Sequence, residues 1–234
     1  MLDAVVMMRW SWLLRVLGVG VAALAITACA APTEGDERTP EPEVEATEDA
    51  IEVQSAPLAD GEMKRIPQPA GMPKPHEQPD STGLFDERGK CGPTAVANTL
   101  KLYWVDVTPA QADQGGAHHW LIGTMGRQIA SYLQNDHPEL GCSLQHPLFG
   151  ASFLRKQLST GHPVMVWFNT SGLGSHWVTA VGTQGTGDAE VVIVMSWGNY
   201  YSIPMKKLVG AWRNVYGIRN PAVVCTAKTV LLSR

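Results

Sequence analysis

From Ala30 to Glu62 the sequence carries eleven Asp or Glu, at positions 34, 36, 37, 41, 43, 45, 48, 49, 52, 60 and 62, against one Arg at 38, a net charge of −10. Like charges at that density repel, and too little apolar surface accompanies them to build a core, so the segment reads as an extended, solvated tether. Pro67, Pro69, Pro73, Pro75 and Pro79 prolong it in a stiffer, polyproline-like form. A fold must therefore come from the chain beyond the prolines, and residues 29–80 are assigned to a disordered tether with one folded domain over 81–234. From Ser81 onward twelve Lys or Arg face eight Asp or Glu, a net of +4, so the formal −4 of the whole chain misrepresents the domain. No basic stripe is present, and nucleic acid is not an expected partner.

Residues 1–28 have a different character. Arg9 and Arg15 precede the apolar run "VLGVGVAALAITA", Val16 to Ala28, which has the length and basic flank of a secretory signal and is too short for a membrane span. Asp3 is an odd charge for that flank, and a start at Met7 or Met8 would remove it. Ile26-Thr27-Ala28-Cys29, with Leu24 upstream, resembles the lipobox of bacterial lipoproteins. The resemblance implies a lipidated Cys29 as the first mature residue and a protein exported and anchored to the bacterial cell envelope. Where there is an outer membrane, Ala30 lacks the usual retaining aspartate and implies anchoring there.

With Cys29 given to lipid, Cys91, Cys142 and Cys225 remain. In an oxidising compartment the economical pairing is Cys142 with Cys225, leaving Cys91 as the odd thiol. No CxxC or HxxxH spacing occurs, and the adjacent His118 and His119 would point apart, so neither a metal site nor a cofactor is expected.

The domain opens with helical signals. Cys91 to Trp104 has Pro93 in its first turn and Ala95, Val96, Thr99, Leu100 and Tyr103 on one face. Thr108-Pro109 caps a second helix toward Gln114, and Gly126 to Asn135 and Phe149 to Leu158 make two more. Strands come next at Val164–Phe168, Trp177–Val181, Val191–Val194 and Tyr200–Ile203, separated by turns at Ser171–Gly174 and Gln184–Asp188. Helices first and an antiparallel sheet second make an α+β fold.

Two residues carry chemistry. Cys91, in "GKCGPTAVANTL", is flanked by glycines where a loop becomes a helix, and the positive end of the helix dipole favours thiolate over thiol. His176, in "GSHWVTAVG", opens the central strand beside a glycine-rich turn, where an imidazole can activate such a nucleophile. A helix led by cysteine, further helices, the "GHPVMVWF" strand, the "HWVTAVG" strand and then "MSWGNYYSI" resembles the papain superfamily of cysteine peptidases over about Leu84 to Gly217. Within it the order is most similar to the bacterial C39-like branch, which includes the leader-cleaving domains of bacteriocin exporters. The resemblance implies a papain-like fold, an N-terminal helical half with the nucleophile helix packed on a C-terminal antiparallel sheet, Cys91 as nucleophile and His176 as general base.

Two positions depart from the family pattern. Phe85 and Asp86 stand where a Gln usually helps stabilise the oxyanion, and only Gln78 could replace it if the intervening loop folded back. Met195 stands at the third triad position, where a thioether cannot orient an imidazole. The orienting role then passes to Ser196 or to Asn199, or is absent. The expected function is a membrane-tethered, monomeric, exported cysteine peptidase or amide hydrolase acting on a peptide or protein through an acyl-enzyme. The alternative is a degenerate domain that binds a peptide or protein partner without turnover.

Overall fold

The apolar run from Val164 to Phe168 lies inside a seven-stranded sheet, because helices cover both faces of it. The computed structural model describes residues 56–59, 61–79, 90–117, 124–171 and 174–226, all within one unit, Ala46–Arg234. The expected signal peptide, Cys29, most of the acidic tether, Phe85, Asp86, His118 and His119 lie outside the described residues. In chain order the elements are β1 (Lys64–Ile66), α1 (Cys91–Leu102), α2 (Pro109–Ala112), α3 (Gly126–Asp136), β2 (Ser143–Gln145), α4 (Gly150–Ser159), β3 (Val164–Thr170), β4 (Gly174–Gln184), β5 (Val191–Ser196), β6 (Asn199–Pro204), α5 (Met205–Trp212) and β7 (Ala222–Val224). The strand order is β1-β6-β5-β4-β3-β7-β2, antiparallel throughout.

Alternation along the central strands sends neighbouring side chains into different cores. Met165, Trp167, Trp177 and Val223 pack with Ala95, Val96 and Leu100 of α1 and with Ile129 and Leu133 of α3. Val164, Val166, Phe168, Val178, Ala180, Val192 and Val194 pack instead with Leu154 of α4 and Leu208, Ala211 and Trp212 of α5. Burial on both faces explains why these strands read as continuous apolar runs. At the start of β5, Glu190 is 5% exposed and takes a two-pronged ion pair from Arg155 of α4, which keeps its carboxylate partnered. Cys142 and Cys225 are disulfide-bonded, with Cα atoms 3.9 Å apart, and tie the end of β7 to the segment leading into β2.

Two expectations need correction. The tether does not run to residue 80, because β1 pairs with β6 in the register Lys64↔Ser202 to Ile66↔Tyr200 and Leu58 is 3% exposed in the second core. Proline-rich chain lacks internal hydrogen bonds but can borrow those of a sheet edge. The simple order of helices then sheet also fails. β1 and β2 precede the main strands, and α5 comes after β6, its helical period hidden in a short segment that Met205, Leu208, Ala211 and Trp212 bury.

Candidate active site

Gly92 brings the start of α1 against its neighbours. A Cβ there would lie 2.1 Å from Thr124 Cγ2, so only glycine lets the first turn of the helix approach the segment before α3. Pro93 is next in that first turn, where its missing N–H costs nothing. Cys91 is the free cysteine at the helix start, partly exposed as a residue. Its sulfur accepts main-chain N–H groups of Trp177 and Gly92 as well as its own. Trp177 is the residue after His176, so α1 meets β4 at the position next to the histidine.

His176 is 7% exposed. Its ring stands edge-on to Phe168, with centroids 6.0 Å apart, and lies under Trp197, stacked at 4.3 Å with 14° between planes. Its Nε2 is 2.8 Å from Ser196 Oγ. Nδ1 is then the nitrogen left for proton transfer. Among the described contacts no hydrogen bond joins the Cys91 thiol to the ring.

Of the two candidates for orienting the ring, the structure brings Ser196 to it. Asn199 faces Ser196 across the β5–β6 turn, but its Nδ2 donates to Trp197 O at 2.8 Å and closes the turn instead. Met195 is fully buried and packs with Leu102 and Tyr200, one step out of phase with Ser196 along β5.

The turn that carries Trp197 is costly in itself. Trp197 has φ +42, a left-handed conformation that costs a side-chain-bearing residue about 1–2 kcal/mol. An aromatic stack contributes about 0.5–1.5 kcal/mol and a main-chain hydrogen bond about 1 kcal/mol, so the turn needs both the ring beneath it and a partner for its backbone. The Gly198 N–H donates to His76 O at 2.9 Å, which supplies that partner.

Electrostatics differ from the local expectation. Burial pushes the Cys91 thiol up, and its N–H donors only partly offset this. Burial also lowers His176 to about 3. The dipole argument from the helix start favoured a thiolate; desolvation by the two cores outweighs it, and both groups rest neutral.

The segment bearing Gln78 does fold back onto α1, where His76 N–H donates to Asn98 Oδ1 at 2.7 Å. Gln78 Oε1 is buried without a hydrogen-bond partner, and as an oxygen it can only accept, so it supplies no oxyanion donor itself. Sequence reasoning missed Asn98 and His76, and a lone Asn in an apolar helix face was the only available signal.

A cleft of about 510 Å³ has Met125, Arg127, Leu144, His146, Trp167 and Ile218 among its walls, and neither Cys91 nor His176 lines it. Trp167 stacks on Trp177 at 5.6 Å, and Met125, Leu144 and Ile218 flank the same core as Cys91. A smaller cavity of about 80 Å³ between Met72, Leu102 and Val181 lies at the other end of α1, away from this chemistry. Among the described residues no group of three His, Cys, Asp or Glu could hold a metal, and no helix is long and apolar enough to cross a membrane.

No protein-family model matches the chain, and no curated protein does. Among solved structures it is similar to a Bacillus anthracis protein provisionally described as a C39-like peptidase, with 14% identity, 71% of this chain and 98% of that chain covered, and a TM-score of 0.49. So slight a likeness carries no argument.

Proposed function

We propose that the chain is an exported thiol hydrolase of the papain-like, C39-like kind, cleaving peptide or amide bonds through Cys91 and His176. The observation that carries this reading is an imidazole hydrogen-bonded to Ser196 and capped by Trp197, one residue from the N–H that holds the Cys91 thiol. In the reaction the Cys91 sulfur bonds to the substrate carbonyl carbon while its proton passes to His176 Nδ1. That proton then goes to the leaving amine as the C–N bond breaks, giving a thioester. Water adds to the thioester with its proton taken by His176, and the acid product leaves as the thiol reforms. The N–H of Cys91 and the Gln78 amide are the candidate oxyanion donors, and losing one such donor costs about 3 kcal/mol, a hundredfold or more in rate. Because both groups rest neutral, deprotonation accompanies attack and does not precede it. The cleft beside Trp167 would receive the substrate chain.

Cys29 is proposed as the lipid anchor, with the acidic segment as tether from the envelope and a monomeric domain working at its end. Mass spectrometry of the mature N-terminus tests the anchor, since an unmodified residue 29 would remove it.

The same neutral pair favours one other reading, a cleft that binds peptide without turnover. Labelling with a peptidyl chloromethyl ketone separates the two. Hydrolase chemistry requires covalent capture at Cys91, lost in His176→Ala, and peptide hydrolysis that Cys91→Ala abolishes. Peptide binding with neither capture nor hydrolysis would establish the binding reading instead.

A further inference from the structure

Asn98 lies on the nucleophile helix two turns beyond Cys91 and is fully buried. Its side chain makes one hydrogen bond, accepting His76 N–H at 2.7 Å, while Nδ2 is buried without a partner. The same residue, His76, accepts the Gly198 N–H at 2.9 Å through its carbonyl oxygen. One residue back from Gly198 is Trp197, whose ring covers His176 at 4.3 Å. The contact is close as well as polar, because a Cβ on Gly198 would lie 2.6 Å from Glu77 Cγ. Tyr200 fixes the preceding part of the segment, its hydroxyl donating to Pro73 O at 2.7 Å.

We propose that Asn98 is a positioning residue which, through a strap formed by residues 73–78, holds the Trp197–Gly198 turn down on the His176 ring. An asparagine whose amide nitrogen has no partner is retained here for its oxygen alone, and that oxygen starts an unbroken path of hydrogen bonds from the nucleophile helix to the turn above the histidine. The Trp197 turn is left-handed at a non-glycine residue, and such a conformation persists where its surroundings over-determine it. Once released from the strap it has reason to relax, and the ring below would meet water. The inference deepens the hydrolase reading by adding a residue that sets the state of its base, but its primary test needs no turnover.

The groups that surround His176 are few. β3 presents Phe168, β5 presents Ser196, and Tyr201 of β6 stands behind Trp197 at 5.8 Å. The titratable groups on the strap touch the turn and not the ring: His76 through its carbonyl, which takes the Gly198 N–H, and Glu77 beside Gly198, paired with Lys74 at 3.7 Å; the Cys91 thiol meets the main chain of Trp177, the residue after His176. Burial lowers His76, with Lys101 acting in the same direction and Asp106 against it, and the one anionic strap group, Glu77, is largely exposed and paired with Lys74, so solvent screens its charge.

The test is NMR of the histidine rings in the full domain, with the His176 signals assigned by loss in His176→Gln. In the wild-type protein the stacked indole shifts the His176 C–H signals upfield by ring current, and the ring stays neutral at mildly acid pH. In Asn98→Ala those signals should move toward free-histidine positions, and the titration midpoint should rise from about 3 toward 6.5. Arg155→Ala, which breaks the Arg155–Glu190 pair at the opposite end of β5, should lower the melting temperature without moving either signal. That separates positioning from general loss of stability. If Asn98→Ala does not fold, Gly198→Ala should give the same two shifts, because the new methyl crowds Glu77 of the strap and strains a turn residue at φ +70. His176 signals and midpoint unchanged in a folded Asn98→Ala or Gly198→Ala protein would overturn the proposal, whether or not the domain hydrolyses peptides.

Discussion

His176 Nε2 and Ser196 Oγ lie 2.8 Å apart, one near the start of β4 and the other at the end of β5. The bond is buried, so its loss leaves a ring nitrogen unpartnered and the imidazole free to turn. Ser196→Ala should reduce kcat/KM by roughly ten- to a hundredfold, the rate equivalent of about 1–3 kcal/mol for a buried polar group left unpaired. Asn199→Ala should cost less in the same assay, because its side chain reaches the ring only indirectly, through the Trp197 carbonyl. Equal losses in both variants would show that the turn, and not the serine, sets the ring.

Stability should fall as the solution is acidified, and His176 should be a principal cause. Its folded pKa is lowered to about 3 from 6.5, so between those values the unfolded chain binds a proton that the folded one does not. Unfolding free energy therefore rises with pH across this window and is lost as pH falls through it, by up to about 1.4 kcal/mol per pH unit for one proton. Urea midpoints for wild type and His176→Gln measured from pH 7 to pH 4 check this. A slope unchanged by the substitution would assign the acid sensitivity to other groups.

Gly92→Ala should cost about 1–3 kcal/mol, the range for overpacking a tight contact, because the new methyl would lie 2.1 Å from Thr124 Cγ2. Thr124→Gly in the same chain should recover much of the loss. Melting temperatures of the two single variants and the double variant measure the coupling, and strict additivity would mean the two residues are not in contact.

Reducing the Cys142–Cys225 disulfide should lower stability by about 4 kcal/mol on the chain-entropy account, given a separation of 83 residues. Thermal unfolding with and without dithiothreitol reads this directly. Cys142→Ala with Cys225→Ala should reproduce the reduced value and make the protein indifferent to the reagent. Cys91 should alkylate slowly at neutral pH, faster only above the usual thiol range, since burial pushes it up.

What the sequence determined by itself is what short-range periodicity and turn chemistry can encode. The apolar runs beginning at Val164, Trp177, Val191 and Tyr200 lie within β3 to β6, and Pro93 after Cys91 marked the first turn of α1, because each pattern is complete within about ten residues. Tertiary structure decided the rest. Whether Met195, Ser196 or Asn199 meets His176 depends on the β4–β5 register and on a turn at Trp197 with positive φ, and a single step along a strand exchanges its faces. The docking of residues 56–59 and 61–79 depends on a sheet edge and a helix face contributed from far along the chain, which an acidic, proline-rich composition cannot announce. The resting charge of Cys91 and His176 was likewise non-local: the helix dipole is written beside Cys91, whereas the burial that outweighs it comes from the first core, and the burial of His176 is assembled from β3, β5 and the Trp197 turn, which only the folded chain brings together.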